Sequence, residues 1–365
     1  MPSRITLDDV DALARGCAVL GTGGGGNVRT GALAAKRALR EHGEVPLIKL
    51  SALPDDALVV PLSGIGAPTV GFEMIQSADE PPRIADEIER LFGRRPSAIM
   101  PSEIGGSNGV YPVAWAAQLG LPLLDADGMG RAFPEVQMVS MYVAGLPAEL
   151  VILTDVVGNV VTIRPVDGLW SEALARAVCV ASGSAALMAD YVLTARQARG
   201  AVIEGTVSRA IAIGRATEGA ADPLATLQAE LGAARLITGK LVDVERRTTG
   251  GFARGTAVIE GTGDDRGRTL TLEIQNENLV AKQVAEQGDR VLAMVPDLIT
   301  VVDTQTATAV GTEGLVYGQR VTVLAWPCDP LWRTPKGLET AGPRAFGYDL
   351  DYRPVETLFE EVAGA

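Results

Sequence analysis

Apolar and polar positions follow two different rhythms along this chain, and the change between them comes near Thr238. Before that point, short apolar runs bounded by turn residues alternate with stretches of helical period. Residues 6–20 read as an amphipathic helix opened by Thr6 and Asp9 in capping-box spacing. Further helices are expected at 29–42, 83–92, 110–119 and 135–144, and strands at 46–50, 57–62, 97–101 and 121–125. Such alternation marks an α/β layer with parallel strands. Residues 149–154 and 159–164 read as a hairpin, and 171–214 and 224–231 as Ala-rich helical segments interrupted by glycine. After Thr238 come β-type runs at 240–247, 252–261, 269–276, 279–285, 290–295, 299–303 and 320–325, the pattern of a small all-β, barrel-like domain. The expected division is 1–237 for the α/β domain, 238–340 for the β domain, and a tail, 341–365, packing back on the first domain.

Composition narrows the chemistry. The 365 residues are 47% hydrophobic and 21% charged, ordinary for a globular chain, but hold 42 glycines and only 4% aromatics. A formal charge of −13 argues against a nucleic-acid partner, which needs clustered cations. No apolar run approaches a membrane span, and the first residues are acidic where a signal peptide would be apolar, so a cytoplasmic location without membrane partners is expected. Cys17, Cys179 and Cys328 lie far apart and read as reduced, buried thiols, with core packing preferred over a nucleophilic role for Cys17. The one histidine, His42, falls at a helix end, where an imidazole suits capping. With His42 in that role, histidine triads and multi-histidine zinc sites are unavailable to this chain. The chemistry then falls to carboxylates, alone or with a divalent metal ion.

Three segments concentrate candidate chemistry. Gly21-Thr-Gly-Gly-Gly-Gly26 precedes a helix and presents bare backbone N–H groups suited to an anion or a carbonyl oxygen. It lacks the lysine of a nucleotide P-loop, and no strand leads into it as in a dinucleotide fold. Glu103-Ile-Gly-Gly-Ser-Asn108 lies at a strand's carboxyl end, where open α/β sheets bind ligands. Asp125-Ala-Asp127 ends the next strand; its two carboxylates read either as an acid/base pair or as holders of a cation. Glu135 is expected to open the following helix.

These segments, with Asp125-Ala-Asp-Gly-Met-Gly-Arg-Ala-Phe-Pro-Glu-Val-Gln-Met138, Ala293-Met-Val-Pro-Asp-Leu-Ile299 and Gly342-Pro-Arg-Ala-Phe-Gly-Tyr-Asp349, resemble the S-methyl-thiohydantoin desulfurase family, associated with hydantoinase and oxoprolinase proteins. The resemblance spans nearly the whole chain. It implies a three-layer α/β N-terminal domain joined to a β domain, and activity on five-membered thiohydantoin or hydantoin rings. The expected reaction is hydrolytic: water adds to a ring carbonyl or thiocarbonyl carbon and expels sulfide or an amine. Glu103 or Asp127 would serve as general base, or Glu103, Asp125 and Asp127 would hold a divalent metal. Thr22 and the amides of Gly23, Gly24, Gly25 and Gly26 would bind the developing oxyanion or thiolate, Asn108 and Asp125 would orient ring N–H groups, and Glu135 completes the substrate set. The alternative is a ligand-binding accessory subunit of a hydantoinase- or oxoprolinase-type complex. A homo-oligomer is expected in either case, and a nucleotide-binding regulator is disfavoured by the missing lysine.

Overall fold

The structure is a computed structural model and describes residues 3–66, 70, 77–249 and 252–358. Its first half is built on four parallel strands in the spatial order Val45–Ile48, Leu123–Leu124, Ala98–Pro101, Leu58–Gly66. Ala98–Pro101 is buried along its whole length, as a parallel strand covered on both faces must be. Helices Glu80–Phe92 and Tyr111–Leu119 make the crossovers, each stopped by a left-handed glycine, Gly93 and Gly120. The opening helix is Val10–Leu20, and the reciprocal Thr6–Asp9 box is formed immediately before it. His42 closes helix Val28–His42 with its side chain 43% exposed.

The sheet then continues antiparallel through Ala185–Ala189, Val151–Thr154 and Val160–Ile163, and Arg4–Ile5 adds to the opposite edge. Ala185–Ala189 corrects the expectation of helix over 171–214. Helices Gly168–Ala181 and Thr206–Ala216 flank a strand there, with Met188 opposite both Ser63 and Leu153. Two waiting strand edges override the weak β-preference of an Ala-rich segment. The helix expected at 135–144 shrinks to Ser140–Val143, and Glu135 lies in the loop before it. Amides in that loop bond elsewhere: Val136 N–H to Glu172, and Ser140 N–H to the Gly128 carbonyl.

The second half is one antiparallel sheet of seven strands in the order Arg290–Met294, Glu277–Gln283, Thr269–Gln275, Phe252–Gly261, Ala234–Thr249, Arg320–Trp326, Leu298–Asp303. Register shifts at Arg235/Ile237, Leu241/Asp243, Glu273/Ile274 and Ala281/Lys282 are of the kind that curls a sheet toward a half-barrel. The chain is therefore a large sheet-and-helix domain followed by an all-antiparallel curled sheet. Leu279, Val280, Met294 and Leu298 leave the β core and join the core of the first domain. The C-terminal segment is anchored on buried Asp297, which accepts hydrogen bonds from Tyr352 Oη, the Val355 N–H and Arg333. Val355 packs in the β core and Leu358 in the other; residues 359–365 lie outside the described residues.

Candidate functional site

The glycine loop starts where helix Val10–Leu20 stops, with Gly21 N–H on the Cys17 carbonyl. Thr22, Gly23, Gly25 and Gly26 all take positive φ, which is free for glycine and unusual for threonine. Thr22 is held there from every side. Its hydroxyl donates to the Gly21 carbonyl and accepts from Arg131 Nη2, while its carbonyl accepts the N–H and the side-chain amide of Asn278. Gly23 likewise gives its carbonyl to Thr312 N–H. Thr22 and Gly23 thus bind the β domain. Arg131, fully buried, secures the same joint through the carbonyls of Pro296 and Asp297.

The other end of the loop faces a cavity of about 170 Å³ that Gly25, Gly26, Ser102, Glu103, Asn108, Glu135, Asp190 and Glu277 help to line. Gly25 and Gly26 give their carbonyls to the 107–108 turn, and among the described residues their N–H groups have no acceptor. Asn108 is clamped on Gly64, accepting its N–H at 2.9 Å and donating to its carbonyl at 3.1 Å; it also donates to Glu103 Oε1. Glu103 is 7% exposed and its Oε2 is buried without a partner. Burial drives its carboxyl up to about 8, against the Asn108 bond, with the charge of Asp127 adding to the rise.

Glu277 reaches the same cavity from the β domain. It is 2% exposed with its own Oε2 unpartnered. Burial, then the charge of Glu103, pushes its carboxyl well above the ordinary range, and Arg131 only partly offsets this. Gly24 does not line the cavity; it makes room, since a Cβ there would lie 1.9 Å from Glu277 Oε1. Asp190, also in the lining, accepts from Ser102 Oγ at 2.8 Å and leaves Oδ1 buried and unpartnered.

Asp125 and Asp127 lie outside this lining and do not share a face. Asp125 turns away to accept the Ser208 N–H and hydroxyl in helix Thr206–Ala216. Asp127, fully buried, accepts N–H groups of Ile104, Met129 and Gly130 at 2.8–3.0 Å. Burial raises its carboxyl to about 7, opposed by those amides. Glu135 does reach the cavity, half-buried and bonded to Gln137. Among the described residues no three His, Cys, Asp or Glu side chains are grouped to hold a metal ion. Cys17 is buried against Gly109, with its thiol pushed well up by burial.

Glu277 and Asp190 went unnoticed in the sequence. Their signals are the polar run Gln275-Asn276-Glu277-Asn278 interrupting a β pattern, with Asn276 at φ +56°, and an aspartate following a buried apolar segment. Both need the fold to acquire meaning.

A small cavity lined by buried carboxyl groups, walled in part by a second domain docked on a glycine loop, marks a two-domain protein with a candidate site built from both halves. The chain belongs to the S-methyl-thiohydantoin desulfurase family: the S-Me-THD-like N-terminal domain matches residues 8–165 and the S-Me-THD-like C-terminal domain residues 166–355. The family name implies desulfurase-like enzymatic activity. A protein from Chromobacterium violaceum, solved by X-ray crystallography as a structural-genomics target, shares the fold at 24% identity and a TM-score of 0.77. The match covers 96% of this chain and 99% of that one. No curated protein matches the chain. Among the described residues no helix is long and apolar enough to cross a membrane.

Proposed function

We propose that the protein is a hydrolase of a small thiohydantoin-type ring, adding water at the ring carbon that bears sulfur. The observation that carries this reading is the meeting of Glu103 and Glu277, from different domains, in one cavity, each with a buried oxygen left without a partner. Buried polar groups are ordinarily satisfied, so two unpartnered acceptors on residues that line one small cavity point to a ligand that fills them. The cavity is smaller than the roughly 300–1,000 Å³ of sites for drug-sized ligands, as befits a single ring.

The reaction uses two carboxyls that burial holds above the ordinary range, Glu103 at about 8 and Glu277 raised with the Glu103 charge adding to the effect. One ionised and one protonated carboxyl therefore share the site. In an S-methylated thiohydantoin the reacting carbon is doubly bonded to a ring nitrogen. Glu277 donates its proton to that nitrogen as Glu103 takes one from the attacking water, and the C–O bond forms. The C–S bond then breaks. The departing thiolate takes the proton from Glu103, the new hydroxyl returns one to Glu277, and a ring carbonyl and free thiol remain. The unfilled N–H groups of Gly25 and Gly26 are the donors available to a developing oxyanion or thiolate.

The test is release of thiol from an S-methyl-thiohydantoin, followed with a chromogenic thiol reagent, in the wild type and in Glu103→Gln and Glu277→Gln. Loss of turnover in both folded variants supports the reading; full activity in both overturns it. The accessory-subunit reading has one observation in its favour: helix Gly168–Ala181 and its surroundings expose Val166, Leu169, Trp170 and Val180 at 54–85%. A stable complex with a larger hydantoinase-type subunit, and no turnover without it, would favour that reading; the same face buried between copies would make a homo-oligomer.

A further inference from the structure

We propose that Asp190, braced by Ser102, is the receptor for a ring N–H, so that the site selects cyclic ureides and isothioureas whose nitrogen beside the reacting carbon carries hydrogen. The proposal rests on the hydrolase reading above and names what that site accepts. Asp190 follows strand Ala185–Ala189, whose residues 185–188 form part of the cavity wall. It is 2% exposed, so solvent does not satisfy its carboxyl. The Ser102 hydroxyl commits its proton to Oδ2 at 2.8 Å, which fixes the carboxyl's orientation, and Oδ1 is left buried with no partner.

No side chain donates to that oxygen. Arg176, the cationic side chain among the lining residues, is tied to Glu172 and to the Pro134 carbonyl. A ligand donor would satisfy that oxygen. A neutral N–H suits it better than an ammonium group, because burial raises the Asp190 carboxyl to about 7 and an N–H can pair with either protonation state. Ser102 is also the residue before Glu103, and the Asp190 charge raises the Glu103 carboxyl, so the two groups act on one ligand from neighbouring points. An N–H seated on Asp190 would orient the ring for attack at Glu103. A methyl at that nitrogen would remove the donor and collide with the carboxyl. Sites built to hydrogen-bond a substrate group reject analogues lacking it far more strongly than apolar pockets reject a methylene.

The experiment compares KM and kcat for S-methyl-thiohydantoins with hydrogen or methyl on the nitrogen beside the reacting carbon, with calorimetric binding of unsubstituted hydantoin as a second readout. The wild type should prefer the N–H ring by at least about tenfold in KM. Asp190→Ala should raise KM for the N–H ring by a similar factor and abolish the preference. Asp190→Asn keeps an acceptor for Ser102 but turns an amide donor toward the ring. It should weaken hydantoin binding while remaining folded, which covers the case in which the alanine variant does not fold. Equal KM values for the two rings in the wild type, or a preference surviving in Asp190→Ala and Asp190→Asn, overturns the Asp190 assignment and leaves the hydrolase reading standing. A wild type that neither binds hydantoin nor turns over either ring overturns both.

Discussion

Two pairs of acids lie at the carboxyl ends of this sheet or against them, all four almost completely buried, and they are treated in opposite ways. Asp125 and Asp127 are 4% and 0% exposed; Glu103 and Glu277 are 7% and 2% exposed. Burial does not separate the pairs, and neither does charge. Hydrogen bonding does. Asp127 takes backbone N–H groups from Ile104, Met129 and Gly130 and so draws the strand-end turns together. Asp125 holds Ser208 through two bonds. Glu103 and Glu277 both line the cavity, and each keeps a buried oxygen without a partner. A buried acid whose acceptors are filled from its own chain builds structure, whereas one left unfilled stores unfavourable free energy that a ligand can relieve.

The sharpest way to break the contrast is Glu103→Gln, expected to lower turnover by about 10²–10⁴-fold, the span of a lost acid/base group. The same variant should gain stability at alkaline pH. The Glu103 carboxyl is raised from near 4.5 to about 8, so the stability it contributes is complete below about 4.5 and is lost as pH climbs through about 8. The glutamine avoids that loss, and melting curves at pH 9 should place it above the wild type. A variant that melts lower at pH 9 would mean that Glu103 is a structural acid like Asp127.

Next in size is the pH profile. With Glu103 as base and Glu277 as acid, kcat/KM should rise with pH through about 8, and fall only where Glu277 ionises. A profile flat from pH 6 to 9 would remove Glu103 from the chemistry. Asp127→Asn should do the reverse of Glu103→Gln, lowering stability by about 1–3 kcal/mol in denaturant titration because amide hydrogens would face backbone donors.

Gly24→Ala is a finer probe. Its Cβ would displace the buried Glu277 side chain without forcing a left-handed residue, and a loss of about tenfold in kcat is expected, with about 1–3 kcal/mol of stability lost to overpacking. Ser208→Ala should have the smallest effect, about 1 kcal/mol of stability with kcat unaltered. A large drop in kcat there would join Asp125 to the reacting site and erase the distinction.

Much of this was legible in the chain. Thr6 and Asp9 announced a cap whose bonds all lie within four residues, and the β runs after Thr238 carried their period in the sequence. Glu103 and Asn108 were visible because a strand, a glycine pair and a helix follow one another directly. Less was legible where partners are distant. Nothing local distinguishes Ala185–Ala189 from a helix, and its strand state comes from edges more than 30 residues away in sequence. Asp125-Ala-Asp127 looked like a pair sharing one face because alternate residues on a strand do so. The chain instead makes only a two-residue bridge, Ala126–Asp127, and each acid follows its own donors.

Local physics therefore determined, from the sequence alone, most element types outside 135–144 and 171–214, the glycine turn and the presence of acids at the sheet's carboxyl edge, since periodicity, caps and φ preferences act over a few residues. Tertiary structure decided which acids are left open. That choice depends on docking a β domain whose Asn278 and Thr312 bond to the carbonyls of Thr22 and Gly23, bringing Glu277 across from 174 positions beyond Glu103. Whether a buried carboxylate is filled or empty depends on every donor within about 3 Å of it, and those donors come from all over the chain.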